Sequence, residues 1–160
     1  MMGALFDLMY ENMAEVAPGG MACAWEKSEW LAEVIPALKN TPRQIALLYC
    51  KGALAGFCMY YVNGGVFMIE ELQIQKEYRS SGVIVELWQF FRCMIPEDTV
   101  YMEAYTDEEN TYSQKLLIRL GLQIVESAAE GKLHHFRGSV NGLIHFIGRP
   151  ANAGTEQKET

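Results

Sequence analysis

Basic residues are scarce in this chain. Its 160 residues hold 13 lysines and arginines against 20 aspartates and glutamates, a formal charge of -7. That balance argues against a nucleic-acid partner held through nonspecific phosphate contact, and it mildly favours a cationic substrate. Long hydrophobic runs are missing too. No stretch reaches the roughly 20 apolar residues of a membrane-spanning helix, and no basic segment precedes an apolar core at the N-terminus. The expectation is a cytoplasmic protein with no membrane partner and no secretory signal. Cysteine is sparse, with four at positions 23, 50, 58 and 93 and none at metal-ligand spacing. Cys50, Cys58 and Cys93 sit in apolar segments, which predicts buried free thiols rather than disulfides or metal ligands.

What is present is ordinary for a globular domain. Half of the residues are hydrophobic and 21% are charged. The length fits one domain with a sizeable core. No repeat and no interdomain linker is visible. The spacing predicts a domain over 1–147 and a polar, disordered tail over 148–160.

Two helices open the chain. Ala4 to Val16 places Leu5, Met9, Met13 and Val16 on one face, and Pro18-Gly19-Gly20 ends it. Lys27 to Ile35 forms the second, which Pro36 ends or kinks. Strands follow at Gln44 to Cys50, Leu54 to Val62 and Val66 to Ile74. Lys51-Gly52 and Asn63-Gly64-Gly65 supply the turns, so the three form an antiparallel meander.

The segment from Met68 to Pro96 organises the rest. Its strand ends near Ile74, and a polar turn runs to Gly82. Apolar residues then recur at 84, 87, 88, 91, 94 and 95, which is helical spacing. Glu86, Gln89 and Arg92 make one narrow polar stripe, implying a helix buried on most sides. Pro96 stops it. A strand, a turn with one glycine and a helix start make an anion site, because first-turn amides lack internal partners and carry the positive end of the dipole. The turn matches neither a Walker loop nor a dinucleotide fingerprint.

Beyond this helix, Thr99 to Tyr105 alternates as a strand. Thr106-Asp107-Glu108-Glu109 fits a capping box, and its helix carries Leu116, Leu117 and Leu120 up to Gly121. Strands at Leu122 to Ser127 and Leu133 to Ser139 follow, joined by Glu130-Gly131-Lys132, with a further short strand at Leu143 to Ile147. The fold class is therefore α/β, a largely antiparallel sheet flanked by helices. The crossover from the third strand to the one at Thr99 should be parallel and right-handed.

The residues Arg79-x-x-Gly82-x-Ile84, after Leu72-x-Ile74-x-Lys76-Glu77-Tyr78, resemble the central motif of the GNAT superfamily of N-acetyltransferases. A second stretch is similar to that family as well: Asn110-x-x-Ser113-x-x-Leu116-Leu117-x-Arg119-Leu120-Gly121-Leu122. The order of elements from Gln44 to Ser139 matches too. Three departures stand out. Ile84 occupies a position where the family keeps Gly or Ala, Leu117 replaces a tyrosine, and the chain opens on a helix where the family usually opens on a strand.

The resemblance implies acetyl-coenzyme A as acyl donor. It implies that the turn Arg79, Ser80, Ser81, Gly82, Val83 and Ile84 meets the pyrophosphate, mainly through backbone amides, with Asn110 also at the coenzyme site. Leu72 and Ile74 would offer backbone groups to the pantetheine arm, as an added strand would. Glu70 is the base the resemblance implies, placed on one strand face with Met68 and Leu72, while Glu71 faces away. A carboxylate there can take an amine's proton through water; a charged strand-end residue is the plain alternative. The family tyrosine at Leu117 protonates the leaving thiolate, a role that falls here to Tyr105 rather than Tyr112. Native transfer should then be weak, and Leu117→Tyr should gain turnover. His134 and His135 face opposite sides of a strand and read as structural rather than metal-binding.

The functional expectation is acyl-coenzyme-A-dependent N-acyl transfer, with acetyl as the acyl group, to a small amine or a protein amine. The rival expectations are a GNAT-fold binding or regulatory module without turnover, and an interaction domain that binds no coenzyme. Pairing of C-terminal strands between subunits would give a homodimer.

Overall fold

The computed structural model describes residues 1–16, 26–79, 82–127 and 133–142. Two helices lead, α1 (Met2–Val16) and α2 (Lys27–Asn40), and the strands β1 (Gln44–Cys50), β2 (Ala53–Asn63) and β3 (Val66–Ile74) follow as a meander. After a single 3-10 turn at Lys76–Tyr78 come α3 (Val83–Met94), β4 (Tyr101–Asp107), α4 (Thr111–Arg119), β5 (Gln123–Ser127) and β6 (Leu133–Ser139). The sheet order is β1-β2-β3-β4-β6-β5. Only β3 and β4 run parallel, and every other neighbouring pair is antiparallel. The α/β class and the meander follow the sequence reading.

Each sheet face carries a core. One face packs α3 and α4 through Leu87, Trp88, Phe91, Leu117 and Leu120 onto Phe67, Met102 and Phe136. The other packs α1 and α2 through Leu5, Leu8, Trp30 and Val34 onto Phe57. Gly56 has a particular part in the sheet, because a Cβ there would sit 2.3 Å from the Gln73 carbonyl oxygen. No side chain fits, so β2 closes tightly against the far end of β3.

Several boundaries depart from the sequence reading. α2 runs through Pro36 to Asn40, the burial of Trp30 and Val34 holding the helix against the lost amide bond and ring contact that a proline costs. β4 continues to Asp107, and the cap of α4 is Asn110, whose side chain accepts from the Ser113 amide at 3.0 Å. The Thr106 capping box therefore does not form; Thr106 lies buried in the strand. The outer side of α3 is more open than its narrow polar stripe implied, with Val85, Phe90 and Met94 exposed. Cys58 is buried as expected, but Cys50 is half-buried and Cys93 exposed. The expected turns at 18–20 and 130–132, the strand at 143–147, the tail at 148–160 and Cys23 lie outside the described residues. No described helix is long and apolar enough to cross a membrane.

Candidate functional site

β3 and β4 pair over only four residues, Val66–Ile69 against Tyr101–Ala104. Beyond Ala104, β4 stays with β6 as far as Asp107 opposite Leu133, while β3 stays with β2 as far as Ile74 opposite Gly56. The two strands therefore part, and β3 from Glu70 to Ile74 has β2 on one side and no described strand on the other. Buried backbone groups need partners, so an unpaired inner edge is a place for a ligand's amides and carbonyls.

A cleft opens along this edge. α1 contributes Asn12 and Met13, β3 contributes Leu72, Gln73 and Ile74, and Arg79 closes one end. The opposite wall is α4, through Asn110, Tyr112, Ser113 and Leu116. A second hollow lies where the strands part, lined by Tyr61, Met68, Glu70 and Tyr105. Of the residues read from the sequence, Leu72, Ile74, Arg79 and Asn110 line the cleft and Glu70 and Tyr105 line the hollow.

The mouth of the cleft is already bridged. Asn12 donates to the Gln73 side chain at 2.7 Å and to the Ile74 carbonyl at 3.1 Å. Arg79 donates through Nε to the same carbonyl at 3.3 Å, through Nη2 to Asn12 at 2.9 Å and through Nη1 to Glu15 at 3.3 Å. Its guanidinium also lies 5.6 Å from the Tyr112 ring centre. Lys76 completes the group, with Nζ 2.6 Å from Glu15. The Lys76 hydrogen bond, foremost, holds the Glu15 carboxyl below its ordinary range. Sequence reading missed this bridge, because α1 lies some 60 residues away from Arg79. Tyr112 points to another side of its helix than Leu117, as expected, and that side is the cleft wall.

The helix start is built as the anion site requires. Gly82 caps α3 with φ 83°, the left-handed region where glycine is favoured. Val85 is the first amide of α3 to bond back, to the Gly82 carbonyl at 2.8 Å, which leaves Val83 and Ile84 amides without a helix-internal acceptor. Their side chains turn elsewhere. Val83 is buried and Ile84 packs half-buried on the main core. The branched side chain of Ile84 thus serves packing. Ser80 and Ser81 lie outside the described residues.

Glu70 occupies a special position. The β2–β3 register passes from Met59 opposite Glu71 to Tyr60 opposite Ile69, so Glu70 is the extra residue of a bulge. The bulge reverses the alternation, and Leu72 joins the main core while Glu71 shares a face with Met68. The expected grouping of Glu70 with both Met68 and Leu72 is therefore corrected. Both Glu70 oxygens accept from Arg43 Nε, at 2.8 and 2.6 Å. That hydrogen bond also raises the Arg43 pKa.

Leu117, the position of the family tyrosine, is buried in the main core at 6% exposure. Its neighbour Leu116 lines the cleft, beside Tyr112 and Ser113.

No protein-family model matches the sequence, and no curated protein matches it. Solved structures do. The PaiA N-acetyltransferase of Thermoplasma acidophilum, in complex with coenzyme A, superposes with a TM-score of 0.68 at 14% identity, covering 86% of this chain and 92% of its own. An acetyltransferase of Thermus thermophilus gives 0.65 at 11% identity over the same shares, 86% and 92%. A probable acetyltransferase of the GNAT family from Chromobacterium violaceum gives 0.64 at 16% identity, covering 89% and 83%. The fold of this chain is the one these three acetyltransferase structures share.

Proposed function

We propose that this chain is an acyl-coenzyme-A-dependent N-acyltransferase that moves an acetyl group to an amine. The observation that carries the reading is the parting of β3 from β4, which leaves the 70–74 edge of β3 facing a cleft. The helix start at Gly82 fits the same ligand, since first-turn amides that have no helix-internal acceptor suit a pyrophosphate. Similarity to coenzyme-bound structures of this fold supports the assignment.

Acetyl-coenzyme A supplies an acyl group activated on sulfur. The residues around it would divide the work. The amides of Val83 and Ile84 hold the pyrophosphate, joined by Ser80, Ser81 and Arg79. Leu72 and Ile74 offer backbone to the arm, and Asn110 stands on the opposite wall. An amine nitrogen attacks the thioester carbon, the C–N bond forms and the C–S bond breaks. Glu70 takes the amine's proton through water, and Tyr105 returns a proton to the departing sulfur. The acceptor is a small amine or a protein amine.

A second reading has a specific observation in its favour. With Leu117 in the core and Glu70 ion-paired to Arg43, the usual acid position is empty of chemistry and the base is already matched. A binding module that holds the coenzyme without turnover is consistent with both. Calorimetric titration with acetyl-coenzyme A, followed by turnover assays on an amine panel, separates the two. Gly82→Val should weaken binding while Lys39→Ala leaves it intact, and Glu70→Gln and Tyr105→Phe should each lower turnover with binding retained. Equal affinity in Gly82→Val and Lys39→Ala removes the coenzyme from this turn.

A further inference from the structure

Tyr105 is 53% exposed, so nothing in its burial fixes the ring at the hollow it lines. An exposed phenol samples several rotamers, and a proton donor that wanders is a poor one. The neighbouring strand supplies the restraint. His135 lies opposite Tyr105 in the β4–β6 register. The two rings stack at 4.5 Å between centroids and 12° between planes.

His135 is itself held. Its Nε2 lies 3.1 Å from Glu103 Oε2. The other Glu103 oxygen is 2.7 Å from Arg137 Nε, and the Arg137 guanidinium sits 4.4 Å from the Tyr101 ring centre. The five residues alternate between β4 and β6 as a ladder: Tyr101, Arg137, Glu103, His135, Tyr105. Glu103 is only 7% exposed. A buried carboxylate beside a guanidinium and an imidazole costs desolvation that its attractions barely repay, and apolar residues would stabilise such a site as well or better. Glu126, opposite His135 on β5, adds a further carboxylate nearby in register. What the ladder supplies, and an apolar patch would not, is a fixed orientation for a flat ring beside Tyr105.

We propose that His135, oriented by Glu103, is a positioning residue that fixes the Tyr105 ring where β3 and β4 part. The inference rests on the transferase reading, in which Tyr105 returns the proton to sulfur. It adds no group to the proton path, because a ring stack passes no proton.

The test is a cycle of His135→Ala and Tyr105→Phe, with His135→Phe as the conservative variant. His135→Ala should lower kcat about ten- to a hundredfold, the scale of a small misplacement, with KM and the calorimetric Kd for acetyl-coenzyme A unchanged. His135→Phe keeps a flat ring and should restore most of the loss. In the Tyr105→Phe background, His135→Ala should add nothing. A full second loss there means that His135 acts through general structure and overturns the inference. The stack also has a readout without turnover. Tyr105 ring protons in the intact protein should carry a ring-current shift that collapses in His135→Ala, and its absence overturns the inference whatever the activity. If acetyl-coenzyme A fails to bind the native chain, the transferase reading falls; if it binds and the two losses add, only the positioning of Tyr105 falls.

Discussion

The guanidinium of Arg79 reaches the side-chain oxygen of Asn12 at 2.9 Å. A residue placed to meet a coenzyme phosphate is thus also the tie between the cleft and the first helix. Glu15 and the Ile74 carbonyl share the same guanidinium. A phosphate arriving at this end of the cleft must compete with Glu15 for Arg79. Glu15→Gln should therefore tighten acetyl-coenzyme A severalfold, and affinity in that variant should fall more steeply with salt. Calorimetry at two ionic strengths checks it. The contact also has a pH signature. The Glu15 pKa is depressed, chiefly by the Lys76 hydrogen bond. Its stabilisation is present above the unfolded carboxylate value and is lost as pH falls through the lower folded value.

Ile84 is half-buried on the main core within the first turn of α3. Ile84→Gly removes that packing and adds the helix cost of glycine, about 1 kcal/mol. The expected outcome is a lower Tm and coenzyme affinity no better than in the native chain. Tightened binding would show that the side chain crowds the anion after all.

Leu117→Tyr places a larger, hydroxylated ring in the main core. Overpacking of that kind costs about 1–3 kcal/mol, so the variant should lose stability and gain no turnover. The burial of Leu117 thereby reverses the gain that the family pattern implies for this substitution. Leu116 lines the cleft, and Leu116→Tyr is the substitution that brings a phenol to it. Thermal melts and turnover rates on the two variants distinguish the positions.

Glu71 has its pKa raised, first by burial, then by the charge of Glu70, with the Gln73 amide partly opposing. For a carboxylate raised on folding, stability is fully present below the unfolded value and is lost as pH rises through the folded one. Glu71→Gln should therefore raise Tm at about pH 7 and leave it nearly unchanged at about pH 4, near the ordinary carboxylate value. An equal change at both pH values points to a cause other than ionisation.

Much of this fold could be read from local pattern. Lys51-Gly52 and Asn63-Gly64-Gly65 do form the meander turns, with positive φ at Gly52, Gly64 and Gly65. Arg79, Gly82 and Asn110 surround the cleft and helix start that the two motifs implied. What stayed hidden is physical in each case. A bulge adds one residue without changing composition, so period-two counting past Glu70 assigns the wrong face to Leu72. Arg43, Asn12 and His135 are distant in sequence from the residues they hold, and no spacing rule connects them. Thr106 satisfies the letter of a capping box, but strand pairing with His134 keeps it in β4 and passes the cap to Asn110.

The short parallel seam divides the sheet into two three-stranded halves, β1-β2-β3 and β4-β6-β5, joined by four residue pairs. Mechanically this is a zip already open at one end. Force that pulls the halves apart peels the remaining pairs one at a time, whereas sliding force loads them together. A ligand strand lying in the opening would extend the closed length and shift the first point of rupture away from Ile69 and Ala104. Resistance to pulling across this seam would then register occupancy of the cleft, independent of any chemistry there.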